Sequence, residues 1–513
     1  MGRNPAELRL SNVHGDTAMN ILVGVAELAP LAKVGGLADA VAALARQWST
    51  MGHRVLVVLP KYRAIDVGAH GFQPTDRVVE VPMGWWREYA RLWMGTLPQS
   101  TVRVCLLENA DYYEREGIYG TAEGYADNDR RFLFLSRALF EVASVLEFSP
   151  DIVHAHDYHT ALAMPLLKLF YRWQPRFYKT AGVLTIHNIA FQGVTEPARL
   201  LPLLGIPWEE FYPGSPWEYF GAVNMLKVGI LYADKIATVS PTYAWEIRST
   251  PLGEGLQGVL NVRGEDVVGI LNGVDYTEWD PAHDRYLPVP YSVQFLPGKQ
   301  LNKRRLLSEW AGLSEPELHR NAPLLGMVTR LTEQKGIDLV CHTLERLVAE
   351  LGICFALLGS GASRYEDFFR YLASRYSRQV FVQFGYNEAL AHKIIAAADY
   401  LLMPSRYEPC GLTQLYALRY GTIPIVRAVG GLRDTVRQYD PMTGEGWGFL
   451  FEDYTPEALR GAVEYALSFY NVQPHWEQLR RNAMACDFSA RRSAEQYLQL
   501  FEWALERVRA QRA

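Results

Sequence analysis

Cysteine is scarce and badly placed for a covalent framework. The chain has five, Cys105, Cys341, Cys354, Cys410 and Cys486, an odd and scattered set without C-x-x-C spacing. That argues for reduced thiols in the cytoplasm and against a disulfide scaffold or zinc site. No apolar run reaches the roughly 18 residues of a membrane-spanning helix. The opening "MGRNPAELRLSNVHGDTA" lacks the apolar segment of a signal peptide, and residues 1–18 read as a disordered leader or a misassigned start. Positive charge is not in excess either: the net charge is -5, which argues against nucleic-acid partners. No membrane partner is expected.

The 513 residues exceed one ordinary core and imply two large domains. Short apolar runs alternate with helical stretches throughout. "NILVGVAE", "HRVLVVLP", "VRVCLLEN", "DIVHAHD", "VLTIHN" and "KIATVSP" occupy the first half. "PLLGMVTRL", "CFALLGSG", "VFVQFGY", "DYLLMPS" and "IPIVRAVGG" occupy the second. This is the pattern of α/β domains whose parallel sheets are covered on both faces. The pattern restarts after "VRGEDVVGILNGVD", so the expected domains are 19–268 and 269–488. The closing segment, 489–513, contains a long amphipathic helix expected to return to the first domain. Ligands of open α/β sheets bind beyond the carboxyl ends of the strands, where Lys33, Asp157, His159, His187, Arg330, Tyr386 and Glu408 fall.

Each motif has two readings. "KVGGL", with Lys33, Gly35 and Gly36, is a phosphate-approaching turn or a tight turn with an exposed lysine; it is neither a dinucleotide fingerprint nor a Walker loop. Arg330 and Lys335 in "TRLTEQKG" form a diphosphate clamp, Arg as fork and Lys as point charge, or a solvated loop. "HAHDYH" and "IHN" suggest metal by density, but the spacing matches no zinc motif. Asp157, His187 and Asn188 suit hydrogen bonding to a polyol, and the histidines also fit a core.

In "PSRYEPCGLTQLYALRYG" the segment after the apolar run reads as a helix closed by Gly421, with Pro409 in its first turn. Amides there would form an anion site, and Glu408 beside it would face something else or serve the helix dipole. Cys410 is an activated thiolate or a small packing residue. Gly430 and Gly431 make another strand-to-helix turn. Anion turns, cations and polyol hydrogen-bonders together suggest a sugar linked to a nucleoside diphosphate.

"ELAPLAKVGGLADAV", "VHAHDYHTAL", "TIHNIAFQG", "VSPTYAWEI", "LNGVDYTEWDP", "TRLTEQKGIDL" and "PSRYEPCGLTQLYALRYGTIPIVRAVGGLRDT" resemble bacterial glycogen synthase and plant starch synthase, in that family's order, across residues 19 to 505. The resemblance implies a GT-B fold of two Rossmann-like domains with the active site between them. It implies glucosyl transfer from ADP-glucose, with UDP-glucose as the alternative donor, to the 4-OH of a non-reducing α-1,4-glucan end, with retention and without metal or other cofactor. By motif, Lys33 would meet the donor diphosphate, and Arg330 and Lys335 would neutralise it as it leaves. Asp157 and His187 would border the glucosyl unit, Asn272 would lie near the donor, and Tyr386 would pack on adenine. Glu408 would contact sugar hydroxyls, while the amides of Cys410, Gly411, Leu412 and Thr413 hold phosphate. Two departures stand out: "GSGAS" (359–363) lacks the family's acidic loop residue, and Val429 replaces a threonine before Gly430. Another retaining GT-B transferase and a non-catalytic glucan-binding homologue are the rival readings.

Overall fold

The computed structural model describes residues 18–121, 123–311 and 322–512; most of the expected leader lies outside them. The chain divides into two compact units, one running to Gly273 and resuming at Ala490, the other spanning Val274–Ser489.

The first unit is built on a nine-stranded sheet. Its strands are β1 (Asn20–Gly24), β2 (Arg54–Pro60), β3 (Gln73–Met83), β4 (Trp86–Thr96), β5 (Arg103–Glu108), β6 (Ile152–His156) and β7 (Ala181–Ile186). A separate two-stranded ribbon joins β8 (Val194–Thr195) to β9 (Val223–Asn224), and β10 (Lys235–Thr238) and β11 (Val267–Gly269) complete the sheet. The order is β11-β10-β7-β6-β1-β2-β5-β4-β3. All pairings from β11 to β5 are parallel. The central strands are mostly apolar and are buried apart from Asn20 and Arg54 at their starts, as double coverage by helices requires.

One edge departs from the sequence reading. β3 and β4 form an antiparallel hairpin, with Met83 opposite Trp86. Gly84 has φ +70, the positive value needed at the first central position of a type II′ hairpin turn. The opposite flank is closed by helix Ala490–Ala510, which packs on helix Gly36–Thr50 and β7. Trp48 Nε1 donates to the Ala494 carbonyl (3.2 Å), and its ring meets Tyr497 and Phe501 at 5.9 and 5.2 Å between centroids.

The second unit has six parallel strands: β12 (Leu324–Val328), β13 (Cys354–Leu358), β14 (Val380–Gln383), β15 (Tyr400–Met403), β16 (Ile423–Arg427) and β17 (Phe449–Phe451). Their order is β14-β13-β12-β15-β16-β17. The expected α/β class with parallel sheets is therefore what the chain adopts in both units. In each sheet the chain winds outward from a central strand, then crosses back to the other side. The reversal falls between β1 and β6 in the first unit and between β12 and β15 in the second. Crevices beyond the carboxyl ends of such strand pairs are where doubly wound folds place ligands.

Candidate active site

At the β1/β6 switch point the chain leaves β1 through Glu27 and the "KVGGL" turn. Glu27 is 4% exposed. Its Oε2 accepts the amides of Val34 (2.6 Å) and Gly35 (2.9 Å), and its Oε1 accepts the Tyr119 hydroxyl. Gly36 opens helix Gly36–Thr50, and Lys33, at the exposed tip, reaches Asp39 at 2.9 Å. The sequence reading did not pick out Glu27 or Tyr119. The only local signal was a carboxylate ending an otherwise apolar strand segment.

Across the switch point, β6 is followed directly by Asp157, the first residue of helix Asp157–Ala161, whose φ of +52 is a rare left-handed value for a non-glycine residue. Its Oδ1 accepts the amides of His187 (2.7 Å) and Asn188 (3.3 Å), so one carboxylate ties together the ends of neighbouring strands β6 and β7. Oδ2 takes part in no hydrogen bond among the described residues. Burial pushes the Asp157 carboxyl up to about 7, against the two amides that lower it and with the Glu27 charge adding to the rise.

The histidines of "HAHDYH" are core residues: His154, His156 and His159 are 0, 1 and 6% exposed. Burial pushes His154, His159 and His187 down to about 3, and His156 well below its ordinary value. All four imidazoles are thus neutral hydrogen-bonding groups at physiological pH. His156 Nδ1 lies 3.0 Å from His187 Nε2, which leaves His187 Nδ1 for other partners. Among the described residues no three His, Cys, Asp or Glu side chains converge on a possible metal position. Asn188 caps its own loop by accepting the Ala190 amide (3.1 Å). Asn272, near the end of the first long segment, is buried, and its Oδ1 has no hydrogen-bond partner among the described residues.

The second unit gathers three loops. After β12, Arg330 is exposed and forms no ion pair among the described residues. Lys335 sits in the 3-10 turn Glu333–Lys335, and its Nζ donates to both oxygens of Glu408, at 2.9 and 2.7 Å. Ser405 Oγ also donates to Glu408 Oε2 (2.9 Å). The approach of these loops depends on Gly336, with φ +72, where a Cβ would lie 2.0 Å from the Pro404 carbonyl oxygen. From the β16 side, the Gly431 amide donates to the carbonyls of Glu408 (3.1 Å) and Pro409 (3.2 Å). A Cβ on Gly431 would lie 2.1 Å from the Cys410 carbonyl oxygen.

Pro409 does not occupy a first helical turn. The helix is Thr413–Arg419, and residues 404–412 form an irregular arch that lifts Glu408 over the β15 end. Cys410 is buried, in line with the packing reading. Gln414 Nε2 donates to the carbonyls of Cys410 and Gly411, both at 3.0 Å, turning those carbonyls inward. The amides of Gly411 and Leu412 make no hydrogen bond among the described residues. Gly421 follows the helix with φ +64, as a C-terminal glycine should. Val429 joins Val426, Leu432 and Val436 in an apolar cluster, so the departure from threonine is absorbed by packing. Tyr386, just beyond β14, is 73% exposed.

The structure therefore brings Lys33, Gly35, Gly36, Asp157, His187 and Asn188 to one switch point. Lys335, Glu408, Cys410 to Thr413, Gly430 and Gly431 gather at the other, with Arg330 on the same loop as Lys335.

A family model described as starch synthase catalytic domain matches residues 20–262, and one described as glycosyl transferases group 1 matches residues 313–484. A glycogen synthase of Koribacter versatilis (strain Ellin345) is 42% identical over 96% of this chain and 99% of its own length. One from Bacillus cereus (strain B4264) is 40% identical over 95% of this chain and 100% of its own. Among solved structures, the catalytic domain of Starch Synthase IV from Arabidopsis thaliana bound to ADP and acarbose matches with TM-score 0.87. It is 34% identical, covering 96% of this chain and all of that one. A sucrose-phosphate synthase from Thermosynechococcus elongatus, 17% identical with TM-score 0.59 over 94% of this chain and 98% of its own, shares the fold.

Proposed function

Because the chain belongs to the glycogen and starch synthase family of glycosyltransferases, we propose that it transfers glucose from ADP-glucose to the 4-OH of a non-reducing α-1,4-glucan end, with retention of configuration. The observation that carries the proposal is the Lys335–Glu408 pair at the β12/β15 switch point, beside Arg330. A glycosyl donor of this class gives up its sugar with a nucleoside diphosphate as the leaving group, so catalysis consists largely of stabilising developing negative charge and positioning the acceptor.

In this reading Arg330 and Lys335 face the departing diphosphate. Glu408 holds Lys335 in place until the donor arrives, then contacts sugar hydroxyls. The amides of Gly411 and Leu412, with those of Cys410 and Thr413 and the Gly430–Gly431 turn, receive phosphate oxygens. Tyr386 stacks on the base. On the first unit, Lys33 reaches the diphosphate, and Asp157, through Oδ2, and His187, through Nδ1, border the glucosyl unit beside Asn188; Asn272 lies near the donor.

Attack comes from the leaving-group face. The acceptor O4 bonds to the anomeric carbon as the bond to the phosphate oxygen breaks, and the departing phosphate takes the O4 proton. ADP bound to the plant relative supports adenine as the base, and acarbose in the same relative supports a glucan acceptor. The five cysteines are free thiols, and no helix among the described residues is long and apolar enough to cross a membrane; both suit work in the cytoplasm. The test is an initial-rate comparison of ADP-glucose and UDP-glucose with a soluble glucan acceptor. Turnover with neither donor overturns the proposal, and a preference for UDP-glucose overturns the choice of base.

A further inference from the structure

We propose that Glu27 is a positioning residue that fixes the loop carrying Lys33; this rests on the assignment of Lys33 to the donor diphosphate. Two successive amides, Val34 and Gly35, point at one carboxylate oxygen, at 2.6 and 2.9 Å. Paired backbone amides of this kind make a concavity that ordinarily receives an anion. Here the protein's own carboxylate fills it. At residues 34 and 35 the loop therefore presents no free amide to a diphosphate.

The carboxylate is itself held from the other side. Tyr119 donates its hydroxyl to Oε1, and the Tyr119 carbonyl accepts Asn128 Nδ2 (2.8 Å). The Tyr119 ring stacks on His159, with centroids 4.7 Å apart and planes at 27°. Burial raises the Tyr119 hydroxyl well above its ordinary value, so it stays a donor. Glu27 thus connects the β1 loop to the 119 segment and to the helix that follows Asp157. Lys33, one residue before Val34, has its backbone fixed by these bonds.

The geometry separates position from charge. A glutamine at 27 can keep its carbonyl oxygen toward both amides and donate its NH₂ to the Tyr119 oxygen. Alanine can do neither. Glu27→Ala should lower kcat about 10²-fold, the scale of an ångström-level misplacement. Glu27→Gln should stay within about threefold of the parent, because its inventory satisfies the same partners. In a Lys33→Ala background, Glu27→Ala should cost less than about threefold more, since both act through one group.

Thermal midpoints are measured alongside. Should Glu27→Ala fail to fold, Tyr119→Phe carries the test: a kcat loss that disappears in the Lys33→Ala background supports the proposal, and no loss or an additive loss overturns it. A glutamine variant as impaired as alanine would show that charge, not position, is the contribution. An undiminished Glu27→Ala loss in the Lys33→Ala background would show that Glu27 does not act through Lys33. A Lys33→Ala enzyme with normal kcat and donor KM would instead remove the Lys33 assignment itself, and the positioning proposal with it.

Discussion

Lys335 and Glu408, 73 residues apart in sequence, meet with both carboxylate oxygens on one ammonium at 2.9 and 2.7 Å. Glu408 is 5% exposed, and Lys335 keeps 18% of its side chain in contact with solvent. Under the proposed clamp, a donor diphosphate would compete with Glu408 for that lysine and would meet Arg330 without such competition.

That difference separates two mutants that otherwise share a role. Arg330→Ala and Lys335→Ala should each reduce kcat by about 10²–10³, the usual loss for one preorganised electrostatic partner, with donor KM moving much less. Only Lys335→Ala should also lower the thermal midpoint, because it strands a buried carboxylate. The double mutant should fall short of the product of the two losses. Unchanged kcat with raised KM in both would make the cations a binding device only.

Gly336→Ala should disable the same site through the backbone. A Cβ would meet the Pro404 carbonyl oxygen at 2.0 Å at a φ of +72, and a left-handed non-glycine residue costs on the order of 1–3 kcal/mol before any clash. The expected result is a midpoint lower by several degrees, at about 2–4 °C per kcal/mol, with kcat reduced. Full activity at an unchanged midpoint would show that the turn can relax.

Asp157 should reveal itself in stability against pH. Its folded value, raised to about 7 from an unfolded value near 3.9, means the native state holds a proton that the unfolded state has lost. Its contribution is therefore greatest at low pH and is lost as pH rises through about 7. Asp157→Asn keeps an acceptor for His187 and Asn188 without the titration. The midpoint of the variant minus that of the parent should grow between pH 5 and 8; a flat difference would place the carboxyl near its ordinary value.

The buried histidines act in the opposite sense. With native values near 3 and an unfolded value near 6.5, only the unfolded chain gains protons between those limits. Denaturant titrations should show stability from these groups intact above about pH 6.5 and declining as pH falls below it. No decline between pH 6.5 and 5 would contradict the burial of these rings.

Tyr386→Ala should weaken ADP binding and leave the midpoint and glucan binding unchanged, because the ring is 73% exposed. Equal ADP affinity in a calorimetric titration would mean that another group holds the base.

Much of this arrangement was legible because parallel strands buried on both faces are written as unbroken apolar runs, and polar residues at their ends stand out against them. The β3–β4 hairpin was not, since β3 is mostly solvent-facing and its clearest mark is the single Gly84 turn. Pro409 misled because proline favours a first helical turn, yet here it stiffens the arch that precedes the helix. Lys335 and Glu408 were both visible as charged residues at strand ends. Their pairing was not, because it is made by the β12–β15 adjacency and by Gly336 and Gly431 letting backbones touch. Glu27 escaped notice because its partners, Val34, Gly35 and Tyr119, matter only once the loops are folded.

The helix that closes the first unit emerges from the ribosome only after the whole second unit. Trp48 waits for Ala494, Tyr497 and Phe501, and at about 5–20 residues per second that wait lasts on the order of 20–90 s. Throughout it the nascent first unit presents the apolar groove beside β7 and helix Gly36–Thr50 uncovered, while Val274–Ser489 is synthesised and can fold. The order of completion is therefore inverted relative to the order of synthesis, and the unit begun first depends for its last layer on a helix made after the second unit.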